Sequence, residues 1–314
     1  MSLNDISDLA AQIRGRGAKS VALQFPEGLK RKAAEIALQL RQEGFDVIIS
    51  GDPCYGACDL PLGALTHADV LVHFGHAPVG EHPGVIYVPW QIGFDIAVLE
   101  KIVPLLQGKK TGLVTTVQHA HMVPQMVIFL EKHGIDVIVS QGKGRTPLRG
   151  QVLGCSFSAA KIPGADRILF VGTGVFHPVG ISLATKKDVI ALDPLTGEVQ
   201  EVSGDSLLRR RFALMEKARG AKSFGIIVSS KSGQQRIELA KRLENLSPHA
   251  VVIMMGEVTP EELLNLGFMA YVNTACPRLA YDDQSRFHVP VLSPQEFEIL
   301  MGTRTWDSYE IDEI

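Results

Sequence analysis

Apolar residues in this chain gather in short, often β-branched runs, and three times such a run leads through a polar or glycine-bearing loop into an amphipathic stretch. Short apolar runs predict strands, and apolar positions recurring every three or four residues predict helices. The three units open near Ser20, Lys110 and Ser223. In the first, a strand over 21–24 passes through Phe25-Pro26-Glu27-Gly28 into a helix over 29–43 and a strand over 47–50. The second runs from 112–116 through Gln118-His119-Ala120-His121 to a helix over 123–133 and a strand over 136–140. In the third, 224–229 leads through Lys231-Ser232-Gly233-Gln234-Gln235 to a helix ending near 246 and a strand over 250–254. A further strand matches across the units, in Ala68-Asp69-Val70-Leu71-Val72, Ala165-Asp166-Arg167-Ile168-Leu169 and Phe268-Met269-Ala270-Tyr271-Val272. Fourth strands follow over 85–88, 188–192 and 289–292.

Strands that alternate with helices imply parallel sheets covered on both faces, right-handed crossovers, and functional loops at the carboxyl ends of the strands. The predicted class is therefore α/β: three repeated small parallel-sheet domains over 1–93, 94–204 and 205–314, arranged with pseudo-threefold symmetry around a shared centre. Helical connectors are expected over 94–106 and 205–218. On the second of these, Arg209-Arg210-Arg211 reads as a solvated or interface face. The acidic stretch from Trp306 to Ile314 reads as a mobile or dimer-contact segment.

Composition narrows the classes of function. A chain of 314 residues, 46% hydrophobic, has enough apolar surface for two or three compact domains. With a formal net charge of −3 and no long basic run, an electrostatic case for gripping nucleic acid has to rest on local patches, and none is expected. No apolar run approaches the roughly 20 residues of a membrane helix. The first turns carry Asp5, Asp8 and Arg14 rather than a signal core, so a cytoplasmic location is expected. In that reducing compartment, four cysteines serve as ligands, catalysts or buried small hydrophobes rather than disulfides.

Each unit supplies one cysteine at or after the carboxyl end of a strand: Cys58 in Tyr55-Gly56-Ala57-Cys58-Asp59, Cys155 in Leu153-Gly154-Cys155-Ser156, and Cys276 in Asn273-Thr274-Ala275-Cys276-Pro277. If the three sheets aim those ends at one point, thiolates nearly a hundred residues apart meet around one metal centre. Three thiolates suit an iron-sulfur cluster with one iron left open to substrate, and they also suit a catalytic zinc with an open position. Gly56, Ala57, Gly154 and Ala275 let the backbone approach a bulky group. Cys58 and Cys155 are expected just before short helices, whose N-terminal N–H groups lower a thiol's pKa. Cys54 lacks the two-residue knuckle spacing to Cys58 and reads as structural.

At these motifs the chain resembles the family of archaeal 3-amino-3-carboxypropyl transferases of diphthamide synthesis, with Tyr55-Gly56-Ala57-Cys58, Gly154-Cys155 and Asn273-Thr274-Ala275-Cys276-Pro277-Arg278 in order along nearly the whole chain. The resemblance implies a three-domain homodimer with one 4Fe-4S cluster per chain, held by Cys58, Cys155 and Cys276. It further implies non-classical radical chemistry, in which an electron donor reduces the cluster and S-adenosylmethionine is cleaved to methylthioadenosine. The 3-amino-3-carboxypropyl group then goes to C2 of a histidine on translation elongation factor 2. Two other readings stand beside it: a quinolinate synthase-like enzyme using a three-cysteine cluster as Lewis acid, and a cluster-bearing scaffold subunit without activity of its own.

Anionic groups favour loops that open helices. The third-unit loop from Ser229 to Gln235 is the best of these, and Ser230, Gly233, Gln235 and Lys231 are the expected contacts to S-adenosylmethionine. Glu27 is either a substrate contact or a first-turn charge favoured by the helix dipole. His73 and His76, and His177 after Gly172-Thr173-Gly174, follow strands and face the centre, where they hydrogen-bond substrate or pack the loops.

Overall fold

The computed structural model describes residues 4–314; residues 1–3, which begin the segment expected to lack a signal core, lie outside the described residues. The first sheet contains β1 (Ser20–Gln24), β2 (Asp46–Ile49), β3 (Val70–Phe74) and β4 (Val85–Val88), in the order β2-β1-β3-β4. The second contains β5 (Thr111–Thr115), β6 (Val137–Ile138), β7 (Arg167–Val171), β8 (Asp188–Leu192) and β9 (Val199–Val202), in the order β6-β5-β7-β8-β9. The third contains β10 (Phe224–Ser229), β11 (Ala250–Met255), β12 (Ala270–Asn273) and β13 (Val291–Leu292), in the order β11-β10-β12-β13. One parallel strand order thus occurs three times, and the α/β class with three repeated units is what the chain forms.

Each sheet is buried on both faces, as parallel sheets require. The first packs Leu23, Val21 and Val72 on one side and Ala22, Leu71 and Val85 on the other. Phe170 and Leu169 divide likewise between two clusters in the second, as do Ile226 and Ile227 in the third. The matched third strands also share a local device. Asp69 Oδ2 accepts from the N–H groups of Lys19 and Ser20, 2.8 Å each, and so docks the start of β3 beside β1. Asp166 Oδ2 does the same for the N–H of Lys110 at 2.8 Å. In the third unit the roles reverse, and the Met269 N–H donates to Ser223 Oγ at 3.1 Å.

Several elements differ from expectation. The connector over 94–106 is a 3-10 helix, Ile96–Ile102, followed by one α-turn, Val103–Leu106, because Pro104 has no N–H to continue an α-helical ladder. The helix of the first unit also opens as a 3-10 segment, Glu27–Lys32, before the α-helix Ala33–Gln42. Strand β9, Val-Gln-Glu-Val, is antiparallel and half polar, so a search for apolar runs passes over it. The helix Phe176–Thr185 follows Gly174, where only a loop was expected.

The arginine run needs a correction. On the helix Asp205–Ala218, Arg209 and Arg210 are exposed, but Arg211 is 2% exposed and turned into the core. Its guanidinium grips Glu296 with both ends, Nε lying 2.7 Å from Oε1, and Nη2 donates to the Val291 carbonyl at 2.8 Å. Glu296 also closes the capping box of the helix Pro294–Leu300, accepting from the Ser293 N–H at 2.8 Å. Spacing of four, four and three residues puts Arg211 on the buried stripe with Leu207, Met215 and Ala218, where full pairing makes its burial tolerable.

Arg211→Ala should therefore cost about 3–5 kcal/mol of unfolding free energy, since it leaves the buried Glu296 carboxylate uncompensated. Arg209→Ala should stay within about 0.5 kcal/mol. Denaturant unfolding of the two variants distinguishes a core ion pair from a surface charge.

Candidate functional site

Three loops after strands carry the cysteines, and each is shaped locally. Cys58 lies in the tight turn after β2, where the Asp59 N–H donates to the Gly56 carbonyl at 3.0 Å. Cys155 sits at the tip of a narrow hairpin, with Leu153 and Ser156 exchanging backbone hydrogen bonds at 2.9 and 3.2 Å. After β12, Asn273 folds the chain back on itself: its side chain accepts from the Ala275 N–H at 3.0 Å and donates to the Cys276 carbonyl at 2.8 Å. Thr274 Oγ1 ties the same loop to the Ile227 carbonyl at 2.7 Å. The three half-buried thiols line one cavity of about 270 Å³.

Close approach explains the small residues. A Cβ on Gly233 would fall 2.4 Å from the Cα of Cys58, so only glycine lets the third-unit loop cross the first-unit cysteine. One on Gly154 would lie 2.8 Å from the Phe176 ring. Polar donors reach two of the sulfurs, one of them from another unit. Gln234 Nε2 donates to Cys58 Sγ at 3.3 Å, and Arg145 lies 3.7 Å from Cys155 Sγ while also donating to the Gly233 carbonyl.

Burial, and then the neighbouring thiols, push Cys276 up to about 12; burial likewise takes Cys155 to about 11, against the pull of Arg145. The expected helix N-termini after Cys58 and Cys155 are only the 3-10 turns Leu62–Thr66 and Ser158–Ala160, too short to offset desolvation. A cation bound among the thiols is what would make three thiolates stable here. Cys54 is buried, lines neither cavity at the centre, and is pushed by burial to about 12. It lies beside His73 and His76, all three ligand atoms falling within 4.8 Å of one another, but the two rings are already hydrogen-bonded together at 3.0 Å.

A second cavity of about 270 Å³ shares Tyr55, Cys58, Cys276 and Arg278 with the first and extends over the third unit. Of the residues expected to contact substrate, Lys231 lines it, 2.9 Å from Asp59 Oδ2 and paired also with Glu257. Gly233 packs on Cys58, while Ser230 and Gln235 are exposed. Ser229, Gln234 and Glu257 line this cavity and had been passed over. The loop sequence alone does not tell which of two adjacent glutamines turns inward. Arg145, from a glycine-flanked loop after β6, was also missed, although its place beyond a strand's carboxyl end is a usable signal. Glu27 pairs with Lys30 at 2.7 Å and stays exposed, the first-turn charge of the two alternatives.

The segment 306–314 is not loose. Arg236 grips Asp312 with both ends, at 2.9 and 2.6 Å, and donates to the carbonyls of Thr274 and Ala275 at 2.7 and 3.1 Å. The Ile314 N–H donates to the Cys155 carbonyl at 2.8 Å. An acidic stretch read as a mobile or dimer-contact segment is instead a strap joining the loops of Cys155 and Cys276, because Asp312 pairs with Arg236 and Glu313 accepts from the Phe157 N–H at 2.6 Å.

A three-unit α/β scaffold that brings one soft thiol from each unit to a shared cavity defines a class of metal-centre enzymes rather than a carrier or a nucleic-acid binder. The chain belongs to the diphthamide synthesis protein family, whose sequence profile matches residues 25–311. It is 40% identical to the 2-(3-amino-3-carboxypropyl)histidine synthase of Pyrococcus horikoshii, over 98% of this chain and 92% of the relative. The synthase subunit 1 of Encephalitozoon cuniculi is 32% identical, over 95% of this chain and 88% of that protein. A crystal structure of Dph2 from Pyrococcus horikoshii with a 4Fe-4S cluster superposes with a TM-score of 0.92 at 38% identity, covering 98% of this chain and 93% of that one. These matches set aside the quinolinate synthase alternative.

Burial holds His73 down to about 3, helped by the adjoining His76, and His76 and His177 to about 4. The unfolded chain takes up these protons near the ordinary value of 6.5, whereas the folded chain resists them. Their contribution to stability is present above pH 6.5 and is lost as pH falls toward 4. The metal-free protein should thus show a lower thermal midpoint at pH 5 than at pH 7, with the difference reduced in His177→Gln; equal midpoints would contradict it.

Proposed function

We propose that this chain catalyses the first step of diphthamide synthesis, transferring the 3-amino-3-carboxypropyl group of S-adenosylmethionine to C2 of a histidine on translation elongation factor 2. The observation that carries this reading is the convergence of Cys58, Cys155 and Cys276 on one cavity in a member of this family. The donor set fits a 4Fe-4S cluster: three soft sulfurs, no fourth cysteine lining the cavity, glycine where Cys58 meets the next unit, and N–H donors on two sulfurs. A cluster bound there supplies an electron for breaking the sulfonium bond and an iron position open to substrate.

The chain's own part is binding, orientation and exclusion of water. Arg145 and Gln234 hydrogen-bond the sulfurs, and Arg278, stacked 4.7 Å over Phe176, adds positive charge beside a negative thiolate group. The aminocarboxypropyl end is assigned to the third-unit loop. Lys231, fixed between Asp59 and Glu257, lies beside Ser229 and Gln234 there, with Gly233, Ser230 and Gln235 completing the loop. Glu257 and Asp283 on the same cavity suit the ammonium and sulfonium charges of that substrate. Pairing of two copies, an external electron donor, the division into units at 1–93, 94–204 and 205–314, and a cytoplasmic site of action alongside translation belong to the same reading. No helix among the described residues is long and apolar enough to cross a membrane.

Anaerobic reconstitution with iron and sulfide, reduction, and transfer of labelled aminocarboxypropyl to elongation factor 2 tests the proposal without any second homologous chain. Cys58→Ala, Cys155→Ala and Cys276→Ala should each lose cluster absorbance and transfer, while Cys54→Ala keeps both. Retained iron in any of the first three, or its loss only in Cys54→Ala, would overturn the ligand set. Full cluster binding without transfer by the purified chain would favour the scaffold alternative.

A further inference from the structure

The two cavities at the cysteine centre share Cys58 and Cys276 but differ in their other walls. The third-unit cavity carries Glu257 and Asp283; the other has no carboxylate in its lining, and His76 lies there with Ala77, Val79, Val117 and Val152 as well as Gln118, Gln151 and His177. A directed chain of hydrogen bonds ends at His76. Gln24, 1% exposed at the end of β1, has its side-chain amide 2.6 Å from the Asp59 carbonyl. A carbonyl only accepts, so the Gln24 NH₂ faces it and the Gln24 Oε1 must be the atom that meets His73 Nδ1 at 2.6 Å. His73 is fully buried, so Nδ1 carries its proton and Nε2 its lone pair. The Nε2 of His73 lies 3.0 Å from His76 Nδ1, which must therefore donate. His76 is left with a bare lone pair on Nε2.

We propose that His76 Nε2 is the hydrogen-bond acceptor that receives the ring N–H of the substrate imidazole in the cavity between the first and second units. The Asp59 carbonyl, Gln24 and His73 are positioning groups that hold it in the accepting tautomer. This rests on the proposed transfer reaction and deepens it. A neutral acceptor in a cavity lined by no carboxylate suits an uncharged aromatic N–H, whereas the ammonium and sulfonium groups of the other substrate find carboxylates on the cavity across the centre. Arg145 and Arg278 on the same cavity disfavour a cationic imidazolium and leave the neutral ring as the bound form. One N–H donated to His76 turns the ring about that bond and limits which edge faces the shared cysteines. The two reactants thus occupy opposite sides of one centre, with the new bond formed between them.

Three measurements on the full chain test this. In histidine-selective ¹⁵N NMR, His73 and His76 should both show Nδ1–H with unprotonated Nε2 at neutral pH, and an Nε2–H tautomer at His76 would overturn the assignment. Saturation-transfer NMR with imidazole as probe should show binding to wild type and to His76→Gln, whose amide oxygen can accept, and at least about tenfold weaker binding to His76→Phe. Equal binding by the phenylalanine variant would overturn the proposal. In the reconstituted enzyme, the ratio of transferred aminocarboxypropyl to methylthioadenosine should fall about tenfold in His76→Phe and recover in His76→Gln; an unchanged ratio in the first would likewise sink it. Failure of wild type to cleave S-adenosylmethionine at all would instead refute the transfer reaction, leaving the imidazole measurement to stand or fall separately.

Discussion

Three thiolates gathered around one cavity repel one another unless something positive lies between them, and much of the site's construction follows from that constraint. Desolvation and mutual repulsion push Cys155 and Cys276 well above the ordinary thiol range. A cation among them reverses the preference, since a coordinated thiol loses its proton outright. Surrounding groups are matched to that outcome: an amide N–H on one sulfur, a guanidinium near another, and a helix-opening N–H near the third. Each is useful to a thiolate and of little use to a buried thiol.

Because the ligands come from separate units, the distances between loops have to be fixed by contacts that cross units. Gly233 settles one, by removing the side chain that would strike Cys58. Arg145 reaches from the second unit to the Gly233 carbonyl, and Arg236 with Asp312 and the Ile314 N–H closes the remaining gap between the third and second units. These are polar contacts of half-buried groups, where hydrogen bonds to charged partners are stronger than at the surface and geometry is held more tightly. The apolar cores supply the stability of each sheet; the polar straps set where the sheets' loops meet.

This division explains what could be read from the sequence. The succession of strands and helices in each unit and the one-cysteine-per-unit pattern rest on short-range periodicity that repeats, so they were legible. Features that depend on meetings between distant residues were not. Arg211 looked like part of a basic surface until Glu296, eighty-five positions later, was seen to face it. The acidic end of the chain looked loose until Arg236 was placed beside Asp312. Gln234 and Gln235 are chemically identical neighbours, and only the tertiary path of the loop turns one toward Cys58 and the other to solvent.

Repetition itself accounts for the remaining feature, the unlike cavities. Three units with one strand order would, if identical, surround the centre with three equal walls, and chemistry between two different reactants needs unequal ones. The departures from the repeat fall where that inequality is required. In the first unit, the loop after β3 carries His76, oriented through His73 and Gln24 on adjacent parallel strands in register. In the third, the equivalent loop after β12 carries Cys276 itself, and the loop after β11 brings Glu257 to Lys231. The second places Arg145 and the narrow hairpin of Cys155 between them. Hydrogen-bond direction along the first-unit chain is fixed by a backbone carbonyl, which cannot reverse its role. One side of the centre is thereby held as a neutral acceptor while the other stays charged, and the common scaffold keeps both at the same cysteines.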